Sequence, residues 1–318
     1  MRKLTVCCYG LEERHRDKLR ARAEELGYTP CFHPSYHEAQ ADLRDSEVIL
    51  GCEVQALEHA EKCRWFCSSS AGVEGHLASP FLKEDVILTN SSGAYGTTIS
   101  EHILMVTLML LRRQMEYTQI VAEHRWERAL KVRSIHGSRI LLLGTGDIGH
   151  ETAVRLRAFH PDSIIGVSRT GRADTAFDRV YTTESLDTLL PDTDILVMSL
   201  PGGEGTRQIM DARRIALLPK QAMVINVGRG STIDQEALLL ALKEERLAGA
   251  ALDVFETEPV PAEDPAWDTP NLLITPHCSG NVSLGYTVDR IVDLFLEDLE
   301  RYTKGEPLAH AVDRTHGY

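Results

Sequence analysis

The amino-acid sequence predicts an α/β protein with two doubly wound parallel sheets, on three observations. The first hundred residues alternate short apolar runs with charged, helix-like stretches. A nearly continuous apolar helix then interrupts that rhythm, and the alternation resumes from Arg139. At 318 residues the chain is too long for one comfortable core and suits two domains of ordinary size.

In chain order, Arg2 and Lys3 precede an apolar run as in a signal peptide. That run, LTVCCYG, stops within a few residues at the charged LEERHRDKLR, so it reads as a first strand. A helix from Glu12 to Leu26 follows, then the strands EVILGC and RWFCSSS. Thr98 and Glu101 have capping-box spacing and open a helix whose apolar run, Ile103 to Leu111, crosses from the first domain to the second. The strands RILLLG, SIIGVSR, DILVMSLP, MVINVG, GAALDVF and LLITPH come next, and a helix from about Val282 to Tyr302 returns the chain to the first domain. The expected organisation is residues 1–100, an inserted domain over 101–283, and 284–318 completing the first domain.

Composition narrows the function. With 34 basic against 47 acidic residues, a formal net charge of −13 and no dense basic cluster, nucleic acid is not an expected partner. Hydrophobic content of 43% with 25% charged residues excludes a disordered chain. The longest apolar run is broken by Thr107 and falls far short of the roughly 20 residues a membrane span needs, so the expected location is cytoplasmic. Seven cysteines without a CxxC pair argue against a disulfide framework or a metal site, and most read as buried, reduced thiols. Cys278 adjoins His277, yet no separate base motif marks it as a nucleophile.

GTGDIG, comprising Gly144, Thr145, Gly146, Asp147, Ile148 and Gly149, directly follows the strand RILLLG and opens a helix. In that context the first glycine permits a tight turn, the second lets backbone approach a pyrophosphate, and the third lets helix and strand pack closely. The next strand ends at Ser168 and Arg169, the latter 20 positions beyond Gly149, with Arg172 close behind. An acid there would accept from a ribose 2′-hydroxyl. These residues suit a 2′-phosphate instead, so NADP is expected over NAD, with NAD possible; the competing reading has Arg169 stacking on adenine or facing solvent.

Three further stretches follow strands of the second sheet: VGRG with Arg229, FETEP with Glu258, and TPHCSG with His277. A guanidinium can hold a carboxylate through two parallel hydrogen bonds and still reach a carbonyl oxygen. An imidazole can give or take one proton near neutral pH, and a carboxylate behind it favours its charged form. Reduction of a 2-oxo acid to a 2-hydroxy acid needs these groups.

In these motifs, together with SSSAGVEG, TTISEH, LPGGEGT and ALDVFETEP in the same order, the chain resembles the D-isomer-specific 2-hydroxyacid dehydrogenases over nearly its whole length. The resemblance implies a Rossmann dinucleotide-binding domain inserted into a flavodoxin-like substrate domain, and a homodimer built on the nucleotide domains. It implies that Arg229 binds the substrate carboxylate, that His277 exchanges the proton, and that Glu258 accepts the other imidazole proton. Ser70, Ala71, Gly72 and Val73 match a second carboxylate anchor, although an ordinary strand-to-helix turn explains Gly72 equally well. Thr97, Leu200, Pro201, Thr206, Val227, Gly228, Asp253, His277 and Gly280 match positions lining the cofactor, Asp253 toward the nicotinamide carboxamide. Tyr95, Trp267 and Tyr286 are candidates to shape the substrate side-chain pocket, with plain packing as the alternative. The implied substrate is a small 2-oxo acid such as glyoxylate or hydroxypyruvate. A phosphoglycerate-type dehydrogenase and a nucleotide-sensing, corepressor-like binding protein are the competing readings.

Overall fold

The apolar runs become strands covered on both faces, and the computed structural model, which describes residues 2–315, arranges them in two parallel sheets. The chain divides into two units: residues up to Tyr95 together with those from Asn281 onward, and Gly96–Gly280.

The first unit carries β1 (Arg2–Cys7), β2 (Tyr28–Phe32), β3 (Ser46–Gly51), β4 (Trp65–Ser68) and β5 (Ile87–Thr89) in the order β2-β1-β3-β4-β5. Its helices are α1 (Glu13–Glu25), α2 (Gln40–Leu43), α3 (Glu74–Leu77) and a closing helix, Gly285–Lys304, which packs on α1. Ion pairs Arg14–Asp289, Lys18–Asp293 and Arg22–Glu300 rim that contact. Beneath them Phe295 stacks on the buried Trp65 ring at 5.2 Å, and the indole N–H donates to Thr89 Oγ1 at 2.9 Å. This is why the C-terminal segment belongs with the N-terminal sheet.

The second unit begins with α4 (Gly96–Leu111) and α5 (Gln114–Ala122). Then come β6 (Arg139–Leu143), α6 (Asp147–Arg157), β7 (Ser163–Val167), β8 (Arg179–Tyr181), α7 (Leu186–Leu189) and β9 (Ile195–Met198). The unit continues through α8 (Ala212–Leu217), β10 (Met223–Asn226), α9 (Gln235–Lys243), β11 (Gly249–Leu252) and β12 (Leu272–Ile274). The order β12-β11-β10-β9-β6-β7-β8 reverses direction between β9 and β6, the switch point of a dinucleotide-binding sheet.

The architecture is the one the sequence predicts, with three strands added and two helix starts moved. β5 and β8 are three residues each, too short to show a period. β2 contains Pro30, which lacks an N–H for the ladder and is tolerated because β2 is an edge strand. α4 starts at Gly96, not Thr98, because the Gly96 N–H is taken by the Asp147 carboxylate at 2.7 Å, a partner from another helix that sequence spacing does not reveal. The closing helix begins at Gly285. The seven cysteines are free thiols; Cys7, Cys8, Cys63 and Cys67 are buried and Cys278 is exposed. Among the described residues no helix is long and apolar enough to cross a membrane.

Removing the ring that joins the closing helix to β4 should destabilise the first unit: Phe295→Ala is expected to cost about 3–5 kcal/mol, read as a lowered urea midpoint for the Trp65 fluorescence transition.

Candidate active site

All strands of the second sheet point the same way, so their carboxyl ends and the loops that follow share one edge. The glycine loop follows β6. Gly144 donates its N–H to Val167 O at 2.9 Å, tying the loop to the end of β7 and to the Ser168–Arg172 turn beyond it. A Cβ on Gly149 would sit 2.0 Å from Gly144 O, so only glycine permits this approach of α6 to the strand. At Gly146 an added Cβ would meet nothing within 4 Å, an open approach to backbone at the α6 N-terminus that fits a dinucleotide pyrophosphate. Asp147 turns its carboxylate to Gly96 N–H, which sets Thr97, in the first turn of α4, beside α6.

In the turn after β7, Ser168 Oγ accepts the Gly171 N–H at 3.2 Å and Arg172 N–H donates to Thr170 Oγ1 at 3.4 Å, with Arg169 and Arg172 both exposed. Across the switch point, the loop after β9 is closed by Thr206, whose hydroxyl donates to Pro201 O at 2.7 Å, with Leu200 buried at its start. Val227 N–H donates to Met198 O at 3.0 Å, and Gly228 packs against Leu200 backbone.

Arg229, Glu258 and His277 follow the neighbouring strands β10, β11 and β12. The Arg229 guanidinium donates through Nη1 to Gly228 O at 2.7 Å. Gly230 lies so close to the next loop that a Cβ would fall 1.9 Å from the Phe255 carbonyl carbon, which presses the VGRG turn onto the FETEP turn. Glu258 is held at both oxygens: Oε1 accepts Phe255 N–H at 2.8 Å, and Oε2 lies 2.6 Å from His277 Nδ1. His277 itself is exposed, with left-handed backbone at φ 50°.

Asp253, at the end of β11, is 2% exposed. Its Oδ1 accepts Thr275 Oγ1–H at 2.6 Å and Cys278 N–H at 3.0 Å, and its Oδ2 accepts Ser279 N–H at 3.0 Å. Burial pushes the carboxyl up, but the donors from Ser279, Thr275 and Cys278 outweigh it and hold the group below the usual carboxylate range. Thr275 Oγ1 in turn lies 3.2 Å from His102 Nε2 on α4. Sequence reasoning passed over both residues. Each sits inside a quoted motif, TTISEH or TPHCSG, but 173 positions separate them and no spacing links the two.

Trp267 is half exposed, its indole N–H bound to Pro261 O at 2.8 Å. Gly280 closes the TPHCSG turn at the end of the second unit. In the first unit, the Ser70–Val73 loop follows β4: Ser70 O accepts Ser91 N–H and Ala71 O accepts the Asn90 side-chain amide, while Val73 is buried in the core with Phe66 and Leu88. Tyr95 is buried and its hydroxyl donates to Ser69 O at 2.7 Å, so it braces this loop from within. Tyr286 lies in the closing helix.

Sheet order and glycine loop define a doubly wound, dinucleotide-binding fold. A family model described as "D-isomer specific 2-hydroxyacid dehydrogenase, NAD binding domain" matches residues 104–279. Glyoxylate/hydroxypyruvate reductase B of Erwinia tasmaniensis is 30% identical over 245 residues, covering 74% of this chain and 76% of that protein. A D-isomer specific 2-hydroxyacid dehydrogenase family protein from Aeromonas salmonicida superposes with a TM-score of 0.87 at 31% identity, over 98% of this chain and 99% of that one. An NADPH-dependent glyoxylate/hydroxypyruvate reductase from Sinorhizobium meliloti, solved with NADP and sulfate, gives 0.83 at 28% identity over 100% of both chains. The chain belongs to the D-isomer specific 2-hydroxyacid dehydrogenase family and is an NAD(P)-dependent D-2-hydroxyacid dehydrogenase.

Because Asp253 titrates below its ordinary value of 3.8, the stability it contributes is complete above that pH and is lost as pH falls through its folded value. The gap in urea midpoint between the parent and Asp253→Asn is expected to be widest near neutral pH and to narrow below about pH 4.

Proposed function

We propose that the protein reduces glyoxylate, hydroxypyruvate or a similar small 2-oxo acid to its D-2-hydroxy acid with NADPH as the preferred cofactor. The observation that carries the reading is the Glu258–His277 pair on the strand ends next to Arg229. With Nδ1 turned to Glu258 Oε2 at 2.6 Å, the imidazole keeps Nε2 for the substrate. Reduction takes a proton and a hydride, the latter supplied by a reduced nicotinamide when bound. Arg229 holds the substrate carboxylate and leans on the adjoining carbonyl oxygen. His277 delivers a proton from Nε2 to that oxygen as it gains charge, and in the oxidative direction Nε2 takes the proton back. Glu258 keeps Nδ1 protonated and the ring oriented, as its second anchor on Phe255 N–H allows.

NADPH preference is supported by the turn after β7, where Ser168, Arg169 and Arg172 stand in place of an acid. The Sinorhizobium meliloti structure, solved with NADP, supports it further. The substrate class is supported by the Erwinia tasmaniensis relative, named for glyoxylate and hydroxypyruvate. A homodimer through the second unit is consistent with apolar side chains left in water there: Trp126 is 95% exposed and Val121 66%. Free thiols throughout the described residues suit a reducing, cytoplasmic setting.

His277→Asn is expected to lower kcat/KM for NADPH-dependent glyoxylate or hydroxypyruvate reduction by about 10²–10⁴-fold. A variant as fast as its parent, or a parent that turns over no 2-oxo acid while binding NADPH tightly, overturns the reading. Arg169→Asp is expected to lower kcat/KM with NADPH by at least about tenfold relative to NADH, since it replaces attraction for a 2′-phosphate with repulsion.

A further inference from the structure

His277 occupies a backbone conformation that a non-glycine residue adopts at a cost of about 1–2 kcal/mol, so neighbouring contacts must hold the turn. Nearly all of them converge on one residue. Asp253 O accepts the His277 N–H at 2.9 Å; the Asp253 carboxylate accepts the Thr275 hydroxyl on one side of His277 and the Cys278 and Ser279 N–H groups on the other. A buried carboxylate with these donors has little capacity left for another, which makes the loop itself its chief partner.

The direction of the hydrogen bonds extends the chain by one residue. Asp253 is ionised and can only accept, so the single hydroxyl proton of Thr275 goes to it. Thr275 Oγ1 must then accept from His102 Nε2, 3.2 Å away, which assigns His102 the tautomer protonated at Nε2. Burial pushes the His102 imidazole down from its ordinary value, against the pull of Asp253, and keeps it neutral with one N–H to give.

We propose that His102, Thr275 and Asp253 form a clamp that fixes the turn carrying His277, so that His102 and Thr275 are positioning residues for proton transfer. The inference rests on His277 being the acid. It ties the orientation of that side chain to α4, which contacts β10 and β11 in the same unit. Without the Thr275 hydroxyl the carboxylate loses its shortest bond and the turn its anchor on that side. The Nδ1–Oε2 contact with Glu258 then loosens.

Two measurements on full-length protein test this. In the cofactor-free enzyme, the downfield proton resonance of the short His277–Glu258 hydrogen bond, identified by its loss in Glu258→Gln, is expected to broaden or vanish in Thr275→Val and His102→Ala. It should return in Thr275→Ser and His102→Gln, which keep a donor. In turnover, Thr275→Val is expected to lower kcat about tenfold with Kd for NADP⁺ within about twofold, since a displaced acid acts on the chemical step. Thermal midpoints confirm that each variant folds, and His102→Ala serves if Thr275→Val does not. An unchanged resonance with unchanged kcat overturns the clamp. A loss confined to Kd for NADP⁺, and absent with the 3-acetylpyridine analogue, also overturns it by assigning Asp253 to the nicotinamide carboxamide. A fully active His277→Asn would instead remove the acid on which the inference rests, whereas an inactive His277→Asn beside a normal Thr275→Val defeats the clamp alone.

Discussion

Parallel pairing of β6 and β9 to β12 is the constraint on which the rest of the second unit depends. Hydrogen-bonded neighbours lie about 4.8 Å apart, so loops leaving adjacent strands cannot avoid one another at the carboxyl edge. Arg229, Glu258 and His277 follow three adjacent strands for that reason, and Glu258 and His277 come into hydrogen-bond contact, although 48 positions of sequence separate Arg229 from His277. Register sets how closely they meet: Asn226 pairs with Leu252 and Leu252 with Ile274, which puts the last residues of β10, β11 and β12 level. A slip of one residue would turn every buried side chain of a strand to the opposite face.

Close backbone approach then refines what pairing begins. Gly230 against Phe255 and Gly149 against Gly144 are contacts that any side chain would prevent, and they bring the VGRG turn to FETEP and α6 to its strand. These glycines serve proximity at the site, not chain flexibility. The sheet divides into two chemical halves about the switch point. On the β7 side the loop ends carry exposed arginines and an open backbone suited to phosphate; on the β12 side they carry an imidazole paired with a carboxylate. An acidic chain of net charge −13 thus presents exposed Arg169 and Arg172 in the turn after β7.

Buried polarity in the same region follows a different logic from the apolar core. Leu196, Val224 and Leu252 need only be covered, but a carboxylate as deep as Asp253 must be matched by donors or lose several kcal/mol of solvation. The donors come from the turn that bears His277, so desolvation of one residue is compensated by ordering another. In the first unit, Tyr95 does a comparable service at smaller scale, its buried hydroxyl bound to the Ser69 carbonyl ahead of the Ser70–Val73 loop.

Much of this was legible in the linear chain. Apolar runs bounded by glycine mark strands because a parallel sheet is covered on both faces, and GTGDIG between a strand and a helix marks the phosphate loop because only glycine tolerates those approaches. VGRG, FETEP and TPHCSG mark the candidate reactive side chains because those residue types together at strand ends have few other uses. Three edge strands, β2, β5 and β8, were not legible: β2 breaks the pattern with Pro30, and β5 and β8 are too short to have one. Nor was the start of α4, which is decided by an Asp147 carboxylate 51 positions away, or the line from His102 through Thr275 to Asp253. Local sequence determines which segments pair and which side chains can react, since periodicity and residue type are properties of neighbours along the chain. Which carboxylate caps a helix, which glycine touches which carbonyl and which threonine steadies a histidine turn are decided only in the folded protein, where distance in space replaces distance in sequence.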